Sequence, residues 1–183
     1  MKKYEFTGET KEIRLLFRTV ILHRIRATVS FGSVKAGDLG GWIEKEENLS
    51  HEGKAWVYGD AKVYGDARVC GDAEVYGDAR VCGDARVCGD ARVLDNARVF
   101  SASHVLGIGA IGNRNDFTTF YRDKDNEITV KCGCFLGKID EFLEKVTQTH
   151  GVSKHALVYR AAVEVAKLQI DLSGEVPKDI DEE

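Results

Sequence analysis

Three groups of side chains in this 183-residue sequence could do chemistry. His104 carries an imidazole, the side chain that changes its charge near neutral pH. Cys132 and Cys134, with His150 further along the chain, offer the thiolate and imidazole ligands that zinc prefers. The third group consists of the residue types most often found at binding hot spots: Tyr58, Tyr76, Arg68, Arg80, Arg86 and Arg98.

A six-residue repeat determines which elements hold many of these side chains. The run VYGDAKVYGDARVCGDAEVYGDARVCGDARVCGDARV, from Val57 to Val93, repeats valine, tyrosine or cysteine, glycine, aspartate, alanine and usually a basic residue. Val105 and Ile111 continue the same phase. A period of six drifts around a helix, and a glycine in every repeat would break one. The pattern therefore predicts short strands, with alanine and valine on one face and glycine–aspartate at each corner.

Strands and corners at six residues a side predict a triangular prism in which three sides form one coil. Valines would fill the interior, and neighbouring coils would pair at about 4.8 Å. The phase allows two starting points. A prism that begins near residue 39 has roughly four coils, and one that begins near residue 55 has roughly three. We expect Trp42 to close the lower end in either case.

Residues one coil apart should form columns on the outside of this prism. Tyr58 is predicted to lie below Tyr76. Two basic ladders follow from the same spacing, one of Lys62, Arg80 and Arg98 and the other of Arg68, Arg86 and His104. An aspartate two residues before most of these basic residues offsets their charge. Each ladder fits either a solvated outer face or a flat recognition surface.

The segments on either side of the repeat divide the chain into four regions. Residues 1–36 predict β-strands, 37–116 the repeat, 117–176 a β-hairpin followed by two helices, and 177–183 an acidic tail. The hairpin has DKDN at its turn. The first helix runs from about Ile139 to Thr149 and ends at Gly151, and Ser153 caps the second. The second helix has apolar residues at Ala156, Tyr159, Val163, Ala166 and Ile170. The expected fold class is mainly β.

Composition narrows the partners and the compartment. A net charge of −4 argues against a nucleic-acid partner. No apolar stretch is long enough to span a membrane, and no secretory leader is visible, so we expect a cytoplasmic protein without a membrane partner. The five cysteines form no C-x-x-C pair, which favours reduced thiols in a reducing compartment. Cys70 would lie under Cys88 at a spacing that permits a disulfide, although reduced thiols are the expectation.

The regular repeat resembles the left-handed parallel β-helix of hexapeptide-repeat proteins. GDLGGWIEKEENLS, the WVYGDA repeats, ITVKCGCFLGKIDEF and THG further resemble a group of uncharacterised proteins that is common in phage and prophage regions. Many left-handed β-helix proteins are trimeric acyltransferases that use acyl-CoA. That wider resemblance implies acyl-CoA as a cofactor and His104 as the general base.

Two hypotheses for the function follow. The first is a non-enzymatic phage or prophage accessory protein, in which the rigid prism binds a host or phage protein or a small anionic ligand. It requires no cofactor, and a homo-oligomer, by analogy a trimer, is expected. The second is the acyltransferase. Two features of the sequence count against this second hypothesis. No long loop projects from the coils to build a substrate pocket, and the repeat is very regular, whereas the sequence of an active site normally departs from the local pattern. His104 would otherwise be a surface residue at the end of the prism.

A zinc site is a further hypothesis with a plain structural alternative. Cys132 and Cys134 are two residues apart, so in one strand both would point the same way. His150 and His155 are near them in the sequence, but the spacing matches no established zinc motif. The alternative is that the cysteines are small residues where a helix crosses the hairpin.

Overall fold

A computed structural model describes residues 2–174 of the chain as a mainly β fold with two C-terminal helices. Three parts follow one another: an N-terminal hairpin, a parallel β-solenoid, and an antiparallel sheet with the helices. The hairpin joins β1 (Tyr4–Leu15) to β2 (Arg18–Ala27). The predicted fold class is confirmed. The predicted acidic tail, 177–183, lies outside the described residues.

The solenoid has three sides, each a stack of parallel strands. Its strands are β3 (Leu39–Ile43), β4 (Trp56–Val57), β5 (Lys62–Val63), β6 (Arg68–Val69), β7 (Glu74–Val75), β8 (Arg80–Val81), β9 (Arg86–Val87), β10 (Arg92–Val93) and β11 (Arg98–Val99). The first side is β3-β5-β8-β11, the second is β6-β9, and the third is β4-β7-β10. Parallel pairing begins at β3, so the solenoid starts near residue 39. It makes about three coils, not the four expected from that start, because its last strand is β11.

The interior of the solenoid is filled by small apolar side chains. Val63, Val75 and Val87 have no exposed surface, and neither do the alanines two residues before them. Glycine turns the corners in the left-handed backbone region, as at Gly83, where φ is +62°. A Cβ at Gly83 would lie 2.0 Å from the carbonyl oxygen of Phe100 in the next coil, so the tight coil spacing excludes a side chain there.

The first coil departs from the strict repeat. Ile43 pairs with Val63 and Leu49 bridges to Val69, in both cases twenty residues on, whereas Val57 pairs with Val75, eighteen residues on. The corner between Leu49 and Val57 therefore contains two extra residues. This corner, residues 50–55, contains His51, which stands where an uninterrupted six-residue repeat would place an inward valine.

The ends of the solenoid are closed by other residues than the sequence suggested. Trp42 does not plug the lower end. It packs outside the first side against the hairpin, with Ile13 and Leu22. The lower end is covered by Tyr4 and Trp56, which belong to the same buried cluster as the interior valines. The sequence does not show that β2 pairs with β3, and this pairing puts the guanidinium of Arg24 over the ring of Trp42, 5.2 Å from its centroid.

The repeat ends earlier than its valine phase indicates. Ser101 and Ala102 stand where a glycine–aspartate corner would be needed, and the chain makes a short 3-10 turn, Ala102–His104. Val105 and Ile111 then lie in β12 (Val105–Ile111), which pairs antiparallel with β13 (Asp116–Arg122). His104 is consequently not part of the Arg68–Arg86 ladder.

The C-terminal sheet continues through β14 (Ile128–Cys132) and β15 (Phe135–Lys138), and the predicted hairpin is β13-β14. Helix α1 (Ile139–His150) ends at Gly151, and α2 (Lys154–Gln169) begins after Ser153, whose hydroxyl accepts a hydrogen bond from the Ala156 amide. The five apolar positions predicted for the second helix are buried, and four lie within α2: Ala156, Tyr159, Val163 and Ala166. Ile170, the fifth, caps it.

Candidate functional site

The tyrosines and arginines predicted to form one recognition wall do not share a surface. Arg80 and Arg98 lie on the first side of the solenoid, and Arg68 and Arg86 on the second. The Tyr58–Tyr76 stack follows the third side. A triangular coil separates residues six apart by one side, so a ligand that contacts the tyrosines faces away from Arg86.

The arginines of the first side are structural. Arg80 and Arg98 are only 5% and 8% exposed. The guanidinium of Arg98 donates to the carbonyl oxygens of Asp78, at 3.1 Å, and Ala97, at 3.0 Å. Donors committed to buried carbonyl groups are poorly placed to recognise an incoming ligand.

The tyrosine stack is also engaged within the protein. The hydroxyl of Tyr58 lies 3.1 Å from that of Ser33 and 3.4 Å from the carboxylate of Glu74. Glu74 in turn pairs with Arg92 at 2.9 Å. Burial, followed by hydrogen bonds with Tyr58 and Glu74, raises the pKa of Tyr76 well above its ordinary value. Tyr76 therefore acts as a neutral hydrogen-bonding group.

The second side carries a different kind of arginine pair. Arg68 and Arg86 lie directly opposite each other in the parallel register of β6 and β9, and both are exposed. Within residues 2–174, neither guanidinium forms a hydrogen bond or an ion pair. Two stacked positive charges without a protein anion between them are a site where an external anion would be stabilised.

A groove of about 590 Å³ runs along this second side. Arg68 and Arg86 line it on β6 and β9, and the first coil, whose Leu49 bridges to Val69, extends it below Arg68. The residues that line the groove are Glu46, Glu47, Leu49, Ser50, His51, Arg68, Val69, Cys70, Arg86 and Cys88. We refer to it below as the arginine groove.

The first coil and its corner add little positive charge to the arginine groove. The ring of His51 stacks on Tyr4 at 4.3 Å, and its Nδ1 accepts a hydrogen bond from the Lys3 amide at 3.1 Å. Burial lowers the pKa of His51, although Glu46 opposes that effect, so the imidazole is neutral at pH 7. Glu46 itself is paired with Lys2. The cationic character of the groove therefore comes from Arg68 and Arg86.

The cysteine pair in this groove corrects the expectation of reduced thiols. Cys70 and Cys88 form a disulfide, with their Cα atoms 4.7 Å apart. They lie side by side because the parallel register places residues one coil apart opposite each other, as the column analysis predicted. Composition alone favoured free thiols, since it carries no information on which cysteines meet. Cys82, Cys132 and Cys134 keep their thiols.

His104 is placed where a base would have no access to substrate. It is 7% exposed, its Nδ1 accepts a hydrogen bond from the Phe100 amide at 3.1 Å, and its Nε2 lies 3.3 Å from a guanidinium nitrogen of Arg122. Burial and the Arg122 charge lower its pKa. With Nδ1 accepting, the neutral ring carries its proton on Nε2, and the Arg122 guanidinium beside it can only donate, so this second contact is not a hydrogen bond.

Cys132 and Cys134 were expected to project from one strand, and this expectation is wrong. β14 ends at Cys132, and Gly133 and Cys134 form the two-residue turn to β15. The Thr118 hydroxyl donates to the Cys132 sulfur at 3.2 Å. His150 shares a smaller cavity of about 230 Å³ with both cysteines. In the described part of the chain, no group of three or more histidine, cysteine, aspartate or glutamate residues could hold a metal.

Sequence analysis did not single out the groove residues that come from the first coil. Glu46, Ser50 and His51 come from the 3-10 turn and the enlarged corner, where the repeat is interrupted. The available signal was that interruption, because a functional element often breaks the local rule. No helix in residues 2–174 is long and apolar enough to cross a membrane.

Comparison with known proteins supports a repeat β-solenoid. Residues 85–100 match the family described as YdcK Beta solenoid repeat. The chain is also similar to a curated protein of Escherichia coli (strain K12), "Uncharacterized acetyltransferase YdcK", with 36% identity over 62 residues. That similarity covers 32% of this chain and 19% of the relative. The chain thus matches only about a fifth of the relative's length.

Proposed function

We propose that this protein is a non-enzymatic binding module that holds a small anionic ligand in the arginine groove. The observation that carries the proposal is the pairing of Arg68 with Arg86. Both guanidiniums are exposed, and neither forms an ion pair within residues 2–174. On the other two sides of the solenoid, Arg80 and Arg98 are buried and Arg92 is paired with Glu74.

The arrangement suits an anion with more than one acceptor oxygen. Guanidiniums present a planar fork of donors that matches phosphate and carboxylate groups. Residues opposite each other in neighbouring coils are about 4.8 Å apart. Two unit charges at that distance repel by about 1 kcal/mol in water, and by more beside a protein surface. A bound anion between them removes this repulsion, so the empty groove is biased towards binding.

The carboxylates of Glu46 and Glu47 limit the size of the ligand. They line the same groove and come from the first coil, next to Arg68. A long polyanion would extend past Arg68 and Arg86 and meet these negative charges, whereas a compact ligand would not. We therefore propose a small ligand with a phosphate, carboxylate or sulfonate group and no nucleic acid. The phage or prophage setting and the homotrimer stay as proposals from resemblance.

Calorimetry with pyrophosphate tests the anion site directly. We expect saturable binding to the wild-type protein at low ionic strength, weakened at least tenfold in the Arg68→Gln/Arg86→Gln variant, because each lost charge-assisted contact costs about 1.5 kcal/mol or more. Arg14→Gln/Arg114→Gln is the matched control. It removes the same net charge from exposed positions outside the groove and should bind as the wild type does. Absence of saturable binding to the wild-type protein would reject the proposal.

A second candidate function, an acyl-CoA-dependent acyltransferase, is favoured by the similarity to "Uncharacterized acetyltransferase YdcK". His104 would be its base, although both ring nitrogens already have neighbours at hydrogen-bond distance. Release of free CoA from acetyl-CoA with a panel of amine and hydroxyl acceptors separates the two functions. Turnover that is lost in His104→Gln would support the enzyme. Binding of acetyl-CoA without turnover would support the module, since the CoA phosphates are themselves anions.

A further inference from the structure

The disulfide and the two arginines line the same groove, and this juxtaposition has a chemical consequence. Cys88 is exposed and Cys70 is half-buried. We propose that Cys70–Cys88 is a redox-active disulfide that exchanges with small anionic thiols held by Arg68 and Arg86. The inference rests on the proposed function, because the arginines that bind the anion also recruit the thiol.

The repeat itself puts sulfur and charge together. Each cysteine follows an arginine by two residues, with an inward valine between them, as in Arg68-Val69-Cys70. Alternate residues of a strand point the same way, so both side chains face outward. The next coil repeats this arrangement in register. Two sulfurs and two guanidiniums therefore lie along one side of the solenoid.

The solenoid does not need this cross-link to set the register of its coils. Backbone hydrogen bonds already join the same two coils on both sides of the disulfide: Arg68 N to Ala85 O at 2.9 Å, Cys70 N to Val87 O at 3.0 Å, and Asp72 N to Gly89 O at 2.9 Å. A disulfide that only stabilises a fold is commonly buried, whereas exposed disulfides are the labile and regulatory ones. The exposure of Cys88 places this bond in the second class.

The other cysteines provide an internal contrast. Cys82 occupies the same position of the repeat but lies on a different side of the solenoid. It is buried under the N-terminal hairpin in a cluster with Tyr64, and Phe100 packs against that cluster. Its thiol is buried, whereas that of Cys88 is exposed. The combination of stacking, exposure and neighbouring arginines is thus specific to Cys70 and Cys88.

The exchange is balanced by two thiols. A thiolate attacks the exposed sulfur of Cys88, a new S–S bond forms, and the Cys70–Cys88 bond breaks with its electron pair moving to the Cys70 sulfur. A second thiolate attacks the outer sulfur of the mixed disulfide and releases Cys88 as a thiolate. Two protons from the attacking thiols reach the two cysteines. In total, two thiols are oxidised to one disulfide, and the protein disulfide is reduced to two thiols.

The arginines favour this reaction in two ways. They attract a thiol that carries a second negative group, which raises its local concentration. They also stabilise the thiolate that leaves, because a neighbouring cation favours the charged form of sulfur. Glu47 lines the same groove and opposes the attraction of the anionic thiol, whereas the charge of Glu46 is offset by Lys2.

A matched pair of thiols tests the inference on the full-length protein. 2-Mercaptoethanesulfonate and 2-mercaptoethanol have the same two-carbon chain, but only the first carries a sulfonate. Under native conditions at low ionic strength, we expect the number of titratable thiols to rise from three to five, about tenfold faster with the sulfonate. The preference should fall to about one in Arg68→Gln/Arg86→Gln and persist in Arg14→Gln/Arg114→Gln.

The outcomes separate this inference from the proposed function. Equal rates for the two thiols with the wild-type protein would overturn it, and so would a disulfide that stays closed until the protein is unfolded. Five free thiols in the untreated protein purified under air would overturn it as well. Pyrophosphate binding to a Cys70→Ser/Cys88→Ser variant tests the anion site without the disulfide. Binding there, together with an inert disulfide in the wild type, would refute only the redox inference.

Discussion

The ring of Tyr76 lies flat against the ring of Tyr58, with centroids 4.2 Å apart and planes 8° from parallel. The two tyrosines come from consecutive coils and pair because the parallel register places them opposite each other. Their ring distance is close to the spacing of neighbouring strands, about 4.8 Å. The stack thus ties two coils together on the outside of the solenoid, where interior valines do not reach.

A double-mutant cycle should detect this contact. We expect Tyr58→Ala and Tyr76→Ala to show a coupling of about 1 kcal/mol in the free energy of unfolding, because stacked aromatic pairs contribute that much beyond their buried area. Urea denaturation measures it. Tyr58→Phe and Tyr76→Phe are the controls, since they remove the hydroxyls and keep the rings, and should retain most of the stability. Additive alanine effects would show that the rings do not support each other.

The corners of the solenoid differ in how much space they leave, although their sequences are alike. Gly59 and Gly83 have φ of +59° and +62°. A Cβ at Gly59 meets nothing within 4 Å, whereas one at Gly83 meets the carbonyl oxygen of Phe100 at 2.0 Å. We expect Gly59→Ala to cost about 1–2 kcal/mol from backbone strain alone. Gly83→Ala should cost clearly more, because the coils must also separate. Equal losses in urea denaturation would contradict this account.

Ala110 is exposed, and its φ of +52° is in the left-handed region, which favours glycine. We expect Ala110→Gly to leave the free energy of unfolding unchanged or to raise it by up to about 1 kcal/mol, because relief of strain offsets the added freedom of the unfolded chain. The same substitution at Ala161, which is exposed on α2, should lower it by about 1 kcal/mol. Thermal unfolding of the two variants compares these signs. A loss of stability at Ala110 as large as that at Ala161 would contradict the argument.

The sequence predicted the solenoid because its interior rule is local and repeated. Valine, alanine and glycine recur at fixed positions, so the columns Tyr58–Tyr76, Arg68–Arg86 and Cys70–Cys88 followed from counting alone. The end of the repeat did not follow. Val105 keeps the valine phase, but Ser101 and Ala102 replace the glycine–aspartate corner, and a 3-10 turn takes the chain out of the solenoid there. The corner at Asp95 also lacks a glycine, yet its φ of +53° lets the solenoid continue to β11.

The candidate site was only partly predictable for a physical reason. Periodicity shows which residues share a column, but it does not show what covers the column. Arg80 and Arg86 look alike in the sequence, yet Arg80 is buried and Arg86 is exposed. The rest of the groove comes from the first coil and its enlarged corner around His51, which has no counterpart in the other coils. Sequence analysis therefore found the arginines and missed the groove.

The burial of His104 gives the stability of the protein a specific pH dependence. Burial, followed by the charge of Arg122, lowers the pKa of His104, while Asp171 and Asp84 act in the opposite direction. An unfolded chain binds a proton at this histidine below about pH 6.5, and the folded protein resists doing so. Stability should therefore be highest above that pH and fall as the pH drops from 7 towards 5.

In urea denaturation at several pH values, His104→Gln should show a smaller loss over this range than the wild type. His51 is present in both proteins, so its own contribution cancels. An unchanged slope in His104→Gln would mean that the folded protein protonates this imidazole as readily as the unfolded chain does.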